Sequence, residues 1–352
     1  MRILHLPTSV GGNSWGLSRA ERDLGLDSQT LVTRDNWLKY PSDICLHWEK
    51  NAFPGIALSA VKTFWDIRKK FDVFHFNFGS TLIDFRRLGI HHWDLPFYPK
   101  GKKLIVTYNG CDARQKFKIT GARKTGGCPI RDCCGKKFCG LTDHMKRHRI
   151  RIMAGHAHHI FALNPDLLHY LPSGKSSFLP YTIANWNSLT PSLRLREAKI
   201  KIVHSPTNTQ IKGTDLVLES IGRLRPRYNL DVQIVQNVPH EEALKIYENA
   251  DLVIDQLLVG WYGGFSVEAM RMGKAVAVYI NTDDLKFIPE DMARDLLEAV
   301  INVNPANLTE TLSLYLENPE LLSRKARAGM DYVNTWHDPA RIANITRSFY
   351  HP

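Results

Sequence analysis

Long apolar runs are missing from this chain of 352 residues. No uninterrupted apolar stretch is long enough to span a bilayer, which excludes a protein built from membrane-spanning helices. The first residues also lack the pattern of a leader, because Met1 runs directly into a strand-like segment. We therefore expect a cytoplasmic protein, with peripheral association at the inner face of the cell membrane as a further prediction.

Low-complexity tracts and short-period repeats are missing as well, which excludes solenoid and low-complexity architectures. The apolar fraction of 43% and the charged fraction of 23% are typical of soluble globular proteins. The chain is longer than one hydrophobic core usually supports. We expect two domains of similar size.

Cysteines are few outside a single short run. Four of the six lie between residues 128 and 139 with the spacing C-x4-C-C-x4-C, and two histidines follow. Clustered Cys and His in a cytosolic protein favour a structural metal, although this spacing differs from the paired C-x2-C of familiar zinc sites. A reduced or disulfide-linked cluster is the competing interpretation. The candidate zinc ligands are Cys128, Cys133, Cys134 and Cys139, with His144 as a further one.

Basic residues outnumber acidic ones, and the formal net charge is +11. Such a charge attracts nucleoside diphosphates, acidic lipid headgroups, polyanionic glycans and nucleic acid. The positive charge is concentrated between residues 116 and 151. The alternative for this segment is a solvated basic face without a partner.

Strand-like and helix-like segments alternate along the whole chain. In the first half, strand patterns occupy residues 1–7, 29–33, 43–48, 71–77, 103–109, 159–164 and 177–180. After a turn-rich segment at 180–199, they occupy residues 200–204, 232–235, 252–258 and 275–280. This alternation predicts an α/β fold with two Rossmann-like domains facing each other across a cleft. The cleft is the default ligand site, because ligands bind at the carboxyl ends of parallel strands.

The most informative segment is 255–274, DQLLVGWYGGFSVEAMRMGK. A buried strand leads into a loop with Gly263 and Gly264, and a helix begins near Phe265 and carries Glu268 in its first turn. First-turn amides and the helix dipole favour a diphosphate, and Glu268 can accept hydrogen bonds from a ribose diol. The alternative is an ordinary strand-to-helix turn, in which glycines ease the chain reversal.

Four segments together resemble the retaining family 4 glycosyltransferases, which have the GT-B fold. The segments are MRILHLPTSVGGNSWGLSRAERDLG, VTYNGCDAR, HSPTNTQIKGTDLVLESI and VPHEEALKIYENADLVIDQLLVGWYGGFSVEAMRMGKAVAVYI. The resemblance covers nearly the whole chain. It implies an acceptor-binding domain at 1–185 with a basic, Cys-rich insertion at 116–151, a nucleotide-sugar donor domain at 199–335, and a terminal helix at 336–352 that crosses back to the first domain.

The resemblance assigns the donor site position by position. Glu268 is the second acid of the family's E-x7-E motif and binds the ribose, whereas Gly260 stands where the first acid is expected. Lys212, beside Gly213, matches the phosphate-binding lysine. Thr207 stands where the family usually has an arginine, so one phosphate-binding cation is missing.

Further site residues complete this prediction. Gly263, Gly264 and Phe265 supply amides to the diphosphate, and the side-chain-free Gly11 and Gly12 let the first loop approach the donor. Asn109 and Asp112 are the candidate catalytic residues near the acceptor or the transferred sugar. A structural turn is the alternative for Asp112.

The predicted function is that of a hexosyltransferase. It moves a sugar from a nucleotide-diphosphate donor to a glycan or lipid-linked acceptor in cell-surface polysaccharide or lipopolysaccharide assembly. No D-x-D pair stands where a metal-dependent transferase needs one, so we expect metal-independent transfer, with no cofactor required for catalysis. The alternatives are a GT-B enzyme acting on nucleic acid, which the scarcity of aromatic residues between 116 and 151 disfavours, and a catalytically weakened scaffold subunit that binds nucleotide sugars.

Overall fold

The computed structural model describes residues 1–35, 38–120, 123–126, 142–192 and 199–351. Their contacts divide them into two compact units. The first unit comprises the described residues of 1–127, 140–184 and 339–352, and the second comprises those of 185–338. None of the described helices has both the length and the apolar character that crossing a bilayer requires.

The first unit is built on a parallel sheet of seven strands. Its strands are β1 (Arg2–Leu6), β2 (Asp27–Val32), β3 (Ile44–Cys45), β4 (Val73–Asn77), β5 (Lys103–Tyr108), β8 (His159–Ala162) and β9 (Ser176–Phe178). Two further strands, β6 (Phe117–Thr120) and β7 (Arg123–Gly126), form a separate antiparallel hairpin. The order across the sheet is β3-β2-β1-β4-β5-β8-β9. The helices of the amino-terminal part are α1 (Asn13–Asp23), α2 (Phe53–Ile67) and α3 (Asp143–His156).

The second unit is built on a parallel sheet of five strands. The strands are β10 (Ile200–His204), β11 (Leu230–Ile234), β12 (Leu252–Ile254), β13 (Ala275–Val278) and β14 (Ile301–Asn302). Their order is β11-β10-β12-β13-β14. The helices are α4 (Thr209–Lys212), α5 (Thr214–Leu224), α6 (His240–Glu248), α7 (Gly264–Arg271), α8 (Glu290–Ala299), α9 (Leu308–Glu317) and α10 (Pro319–Trp336).

The first sheet is covered on both faces, because successive side chains of a strand point to opposite sides. In β1, Leu4 and Leu6 join the apolar cluster that includes α2 and α3, whereas Ile3 joins the cluster of α1 on the other face. A last helix, α11 (Pro339–Arg347), packs against α1 and adds Ile342 and Ala343 to this second cluster. The predicted α/β class with parallel sheets is confirmed.

Each sheet has a point at which its strand order reverses. In the first unit, β2 and β3 lie on one side of β1, and β4 lies on the other side. In the second unit, β11 lies on one side of β10 and β12 on the other. Crevices for ligands form at the carboxyl ends of the strands at such switch points. The loops after β1 and β4, and those after β10 and β12, are therefore the places to search for sites.

The predicted strand that leads into the candidate site is longer than the observed one. The strand pattern at 252–258 predicts a continuous strand, but β12 ends at Ile254. The chain turns after Asp255, and the amide of Leu257 donates to the carbonyl of Lys212 at 3.2 Å. The apolar residues beyond Ile254 are buried by this loop instead of by strand pairing.

Candidate functional site

An ion pair joins the two loops at the switch point of the second sheet. Lys212, at the end of α4, donates to the carboxylate of Asp255, which directly follows β12. The Asp255 side chain is fully buried. Burial alone would raise the pKa of Asp255, but the charge and hydrogen bond of Lys212 lower it. The carboxylate is therefore held in its charged form.

The same carboxylate organises the start of α7. Asp255 Oδ2 accepts from the backbone amide of Gly263 at 3.0 Å and from the hydroxyl of Ser266 at 2.6 Å. Lys212 Nζ lies 3.5 Å from the place where a Cβ on Gly263 would be. Lys212 and Gly263 thus meet at one helix start, as the donor-site prediction requires, but an acid of the protein already takes the Gly263 amide.

Two backbone amides at the start of α7 are available to a ligand. The amides of Gly264 and Phe265 have no acceptor among the residues that the structure describes, as is usual for the first turn of a helix. The half-buried Phe265 ring packs against that of Tyr247, with centroids 4.6 Å apart. The start of α7 therefore offers two amide donors beside an aromatic surface.

Glu268 lies one turn further into α7 and is almost completely buried. Its Oε1 accepts from His240 Nε2 at 2.7 Å, and His240 begins α6. Burial opposes the charged form of His240, but the hydrogen bond and the charge of Glu268 raise its pKa. The carboxylate assigned to the ribose is thus oriented by a histidine from a neighbouring helix.

Gly260 has a backbone conformation that explains the missing first acid. Its φ is +77°, and a Cβ there would lie 2.8 Å from the Cβ of Asn281. The Asn281 amide also donates to the carbonyl of Gly260 at 2.9 Å, which holds the two segments together. A glutamate is therefore excluded here by both the backbone angle and the available space.

The two aromatic residues of this loop belong to the core. Trp261 and Tyr262 are buried and stack with ring centroids 4.5 Å apart. The Tyr262 hydroxyl is within hydrogen-bond distance of Tyr332 and of His337, at 2.7 and 2.8 Å. Their environment is that of core residues of the second unit, which disfavours stacking on a ligand.

The loop after β10 holds the other predicted donor residues. Thr207 is exposed, and Asn208 caps α4 by accepting from the amide of Ile211 at 2.9 Å. Gly213 joins α4 to α5 and places Lys212 beside the loop after β12. These residues lie in the same loop as Lys212, at the switch point.

The first loop of the other unit follows β1. Gly11 is exposed, and a side chain there would meet open space. Gly12 is buried with φ +69°, and a Cβ would lie 2.9 Å from the Tyr40 ring and from Ala184. Gly12 is therefore required by the packing of this unit, whereas Gly11 is accessible.

The candidate catalytic residues form a turn after β5. Asp112 is buried and accepts from the amides of Asn109 and Gly110, the latter at 2.6 Å. Burial raises the pKa of Asp112 despite these bonds. Arg114, two residues further on, binds Asp166 through two hydrogen bonds of 2.5 and 2.9 Å. These contacts are those of a turn, and a catalytic role for Asn109 or Asp112 stays a prediction.

Cys128, Cys133, Cys134 and Cys139 lie outside the residues that the structure describes. Within the described ranges no group of three or more His, Cys, Asp or Glu side chains is arranged to hold a metal ion. Both interpretations of the cluster, structural zinc and reduced or disulfide-linked thiols, stay open.

Sequence reasoning missed Asp255 and His240. The signal that could have identified Asp255 is an acidic residue directly after a buried strand, because ligands bind at the carboxyl ends of parallel strands. His240 begins a helix and carries no comparable local signal. Its role depends on Glu268, 28 residues away, which only the fold brings within 2.7 Å.

Comparison with solved structures identifies the fold. Sucrose-phosphate synthase from Thermosynechococcus elongatus aligns over 99% of this chain and 98% of its own, with a TM-score of 0.61 and 14% identity. The catalytic domain of starch synthase IV from Arabidopsis thaliana, bound to ADP and acarbose, aligns over 99% and 98%, with a TM-score of 0.60 and 11% identity.

A third structure is an α-glucosyltransferase in complex with UDP-glucose and DNA containing an abasic site. It aligns over 99% of this chain and 98% of its own, with a TM-score of 0.57 and 10% identity. No protein-family model and no curated protein sequence matches the chain. At such identities the likeness concerns architecture, and the chain has the GT-B fold, with two Rossmann-like domains.

Proposed function

We propose that the chain is a glycosyltransferase that moves a sugar from a nucleoside diphosphate donor to a glycan or lipid-linked acceptor, as in cell-surface polysaccharide or lipopolysaccharide assembly. One observation carries this proposal. Lys212, the start of α7 and Glu268 gather at the switch point of the second sheet. Two structures of similar fold hold UDP-glucose and ADP, which supports a nucleotide at such a site.

The leaving diphosphate is the group that needs stabilisation. In the transfer, the bond between the anomeric carbon and the diphosphate oxygen breaks, and its electron pair leaves with the nucleoside diphosphate. The acceptor hydroxyl oxygen forms the new bond, and its proton passes to solvent. The amides of Gly264 and Phe265 and the positive helix end favour the charge that collects on the diphosphate. An ammonium has three N–H donors, so Lys212 can bind a phosphate oxygen while it remains bonded to Asp255.

Glu268 has a separate task in this proposal. Its Oε1 is held by His240, and its second oxygen accepts from the ribose hydroxyls. A buried carboxylate that is already oriented loses little freedom on binding, so its hydrogen bonds contribute more to affinity. We further propose that transfer retains the anomeric configuration and needs no metal ion. The resemblance to retaining enzymes supports the first part. The lack of a D-x-D pair where a metal-dependent transferase needs one supports the second.

The first experiment is a thermal-shift screen of the full chain. The panel contains UDP-, GDP-, dTDP- and CMP-sugars with the bare nucleotides, with and without EDTA. Selective stabilisation by one donor, unchanged by EDTA, is the expected result. No stabilisation by any nucleotide would contradict the proposal, and loss of the effect in EDTA would contradict metal independence.

Variants then test the site itself. Glu268→Gln should weaken binding of the selected donor about tenfold or more, because a hydrogen bond to a charged group contributes about 1.5 to 3 kcal/mol. Glu310→Gln, at an exposed position of α9, is the matched control and should bind as the wild type does. Equal affinities for both variants, measured by calorimetry, would remove Glu268 from the site.

A test of Lys212 requires a second substitution, at Asp255, so that loss of binding is not confused with loss of stability. Lys212→Met alone leaves the buried Asp255 carboxylate without its cation, which costs about 3 to 5 kcal/mol of folding free energy. The double variant Lys212→Met with Asp255→Asn removes both charges. It should fold and should bind the diphosphate about 1.5 to 3 kcal/mol more weakly. Unchanged diphosphate affinity in a folded double variant would refute the phosphate role of Lys212.

Action on nucleic acid is the second candidate. The net charge of +11 and the DNA present in one structure of similar fold favour it. A gel shift with DNA and RNA that weakens steeply with salt would support this candidate. A shift that is absent, or independent of salt, would remove it. Peripheral association with an anionic membrane stays part of the leading proposal.

A further inference from the structure

The first unit contains a cavity of about 780 Å³ that the proposed donor site does not use. Its lining includes Pro7 and Thr8, which follow β1, and Ser80 and Thr81, which lie shortly after β4. The cavity therefore sits at the switch point of the first sheet, where open α/β sheets bind ligands. Its size is that of a small-molecule site.

The lining of the cavity is strongly basic. It contains Arg34, Arg86 and Arg87 and a single carboxylate, that of Asp84. That carboxylate is buried and already accepts from Arg149 at 2.5 Å, a residue outside the lining. Arg149 therefore offsets the charge of Asp84, and the three arginines of the lining give the cavity an excess of positive charge.

The three arginines differ in how they are engaged. Arg86 donates to the hydroxyl of Ser80 at 2.9 Å and lies 3.6 Å from Asp84. Arg34 and Arg87 are exposed and make no hydrogen bond or ion pair with any residue in the described ranges. Their guanidinium groups are free to bind a group with several anionic oxygens, and guanidinium binds phosphate through paired hydrogen bonds.

The lining also contains apolar side chains. Among them, Phe53 and Phe85 pack edge to face, with ring centroids 5.3 Å apart. Phe53 remains 46% exposed and Leu88 57% exposed, although both line the cavity. Solvent-exposed apolar side chains at a cavity edge favour a ligand that carries hydrocarbon as well as charge.

An exposed apolar stripe runs along α2 and begins at Phe53, which lines the cavity. Phe53 is the first residue of α2, and Leu58, Val61 and Trp65 lie on the outer face of this helix at 71%, 42% and 52% exposure. The guanidinium of Arg68 lies over the Trp65 ring at 3.8 Å. Exposed aliphatic and aromatic side chains with a basic neighbour are typical of helices that lie on anionic membranes.

We propose that this cavity binds a phosphate-bearing amphiphile, which is the acceptor or its lipid anchor. The phosphate binds at Arg34, Arg86 and Arg87, and the hydrocarbon lies along Phe53 and Leu88 toward the stripe on α2. A free phosphate would use only the arginines and would leave Phe53 and Leu88 exposed to water. This inference rests on the proposed transferase function, because it names the class of acceptor.

The test measures binding by the full chain without any donor. The probes are octyl phosphate below its micelle concentration, inorganic phosphate, and octyl glucoside as a neutral head on the same chain. Octyl phosphate should bind at least about tenfold more tightly than either of the others, because only it can contact both the arginines and the apolar side chains of the lining. Equal affinity for octyl phosphate and inorganic phosphate would assign the site to a free anion and overturn the proposal.

Two variants localise the effect. Arg34→Gln with Arg87→Gln should weaken octyl phosphate binding about tenfold or more, because each change removes a charged hydrogen-bond donor. The control, Arg324→Gln with Arg327→Gln, changes the net charge equally at exposed positions of α10 and should bind as the wild type does. Equal weakening in both pairs would reduce the effect to net charge and overturn the site.

One further measurement separates this inference from the donor proposal, and a second tests the role of α2. The Lys212→Met, Asp255→Asn variant should bind nucleotide more weakly and keep octyl phosphate binding, so failure of one proposal is distinguishable from failure of the other. Leu58→Ser with Trp65→Ser should reduce sedimentation with phosphatidylglycerol vesicles severalfold and leave octyl phosphate binding unchanged. Vesicle binding that does not depend on these residues would contradict the role given to α2.

Discussion

At the residue scale, Gly260 illustrates how one backbone angle decides which side chain a position can carry. Its positive φ and the nearby Asn281 exclude the acid that the resemblance to family 4 enzymes leads one to expect. In the proposed transferase, the sugar hydroxyls are then bound by other groups. The departure from the family's motif is therefore a feature of this loop's conformation, and reinstating the acid would disturb the loop.

Gly260→Ala should lower the free energy of unfolding by at least about 1 to 2 kcal/mol. An L-residue pays this amount in the left-handed region, and the contact with Asn281 adds to it. Urea unfolding measures the change. Gly222→Ala, in α5 with open space around its Cβ, is the control and should be neutral or stabilising. Wild-type stability for Gly260→Ala would show that the loop relaxes freely.

His240 should make stability depend on pH. Its pKa is raised in the folded state by Glu268, so the stabilisation is fully present below the unfolded value of 6.5. It is lost as the pH rises through the higher folded value. The free-energy difference between the wild type and His240→Gln should therefore be larger at pH 6 than at pH 9. A difference that grows with pH would contradict the ion pair.

At the element scale, α11 contributes to the first unit through its buried side chains and the residues that follow it. The Tyr350 hydroxyl, just beyond the helix, donates to Glu21 Oε1 at 2.6 Å, and Glu21 also binds His5 and Ser28. Glu21 is fully buried in α1. This terminal segment thus satisfies a buried carboxylate about 330 residues earlier in the chain.

Tyr350→Phe should destabilise the protein by about 1 to 3 kcal/mol, because a buried carboxylate loses one donor while its burial is unchanged. Deleting residues 339–352 should cost more, since Ile342 and Ala343 also leave the core. Thermal unfolding measures both changes. Tyr315 of α9, in the second unit, makes no hydrogen bond to a buried carboxylate among the described residues, so Tyr315→Phe should have little effect. A truncated protein as stable as the wild type would contradict this view of the segment.

At the scale of the whole molecule, the two units offer different ligand chemistry at equivalent places. Each has a candidate site at the switch point of its own parallel sheet. The second unit offers helix-start amides, a lysine and an oriented carboxylate, which suit a nucleotide. The first offers arginines beside apolar side chains, which suit a lipid phosphate.

Hydrogen exchange should resolve the two sites in one protein. The donor selected in the thermal-shift screen should slow exchange of amides in 205–213 and 255–268, and octyl phosphate should slow exchange in 80–88. Bound ligands suppress the local opening through which these amides exchange. Protection of the same segments by both ligands would show that the assignments of the two sites are wrong.

Much of the fold could be predicted because buried parallel strands form short apolar runs. β1, β4, β5 and β10 are such runs and lie where the pattern predicts them. β14 has only two residues and is below the length that a pattern resolves. Helix α2 carries apolar residues on its exposed face as well as its buried face, which weakens the helical period that would have identified it.

The α/β class, the alternation of strands and helices, and the local signals at Lys212, Gly263 and Glu268 follow from the sequence alone, because each depends on residues close together in the chain. Which of these groups meet follows only from the folded structure. The Lys212–Asp255 pair spans 43 residues, and the His240–Glu268 pair spans 28. The basic cavity likewise combines loops after three different strands. Contacts of this kind depend on strand order, which the pattern of residues along the chain does not encode locally.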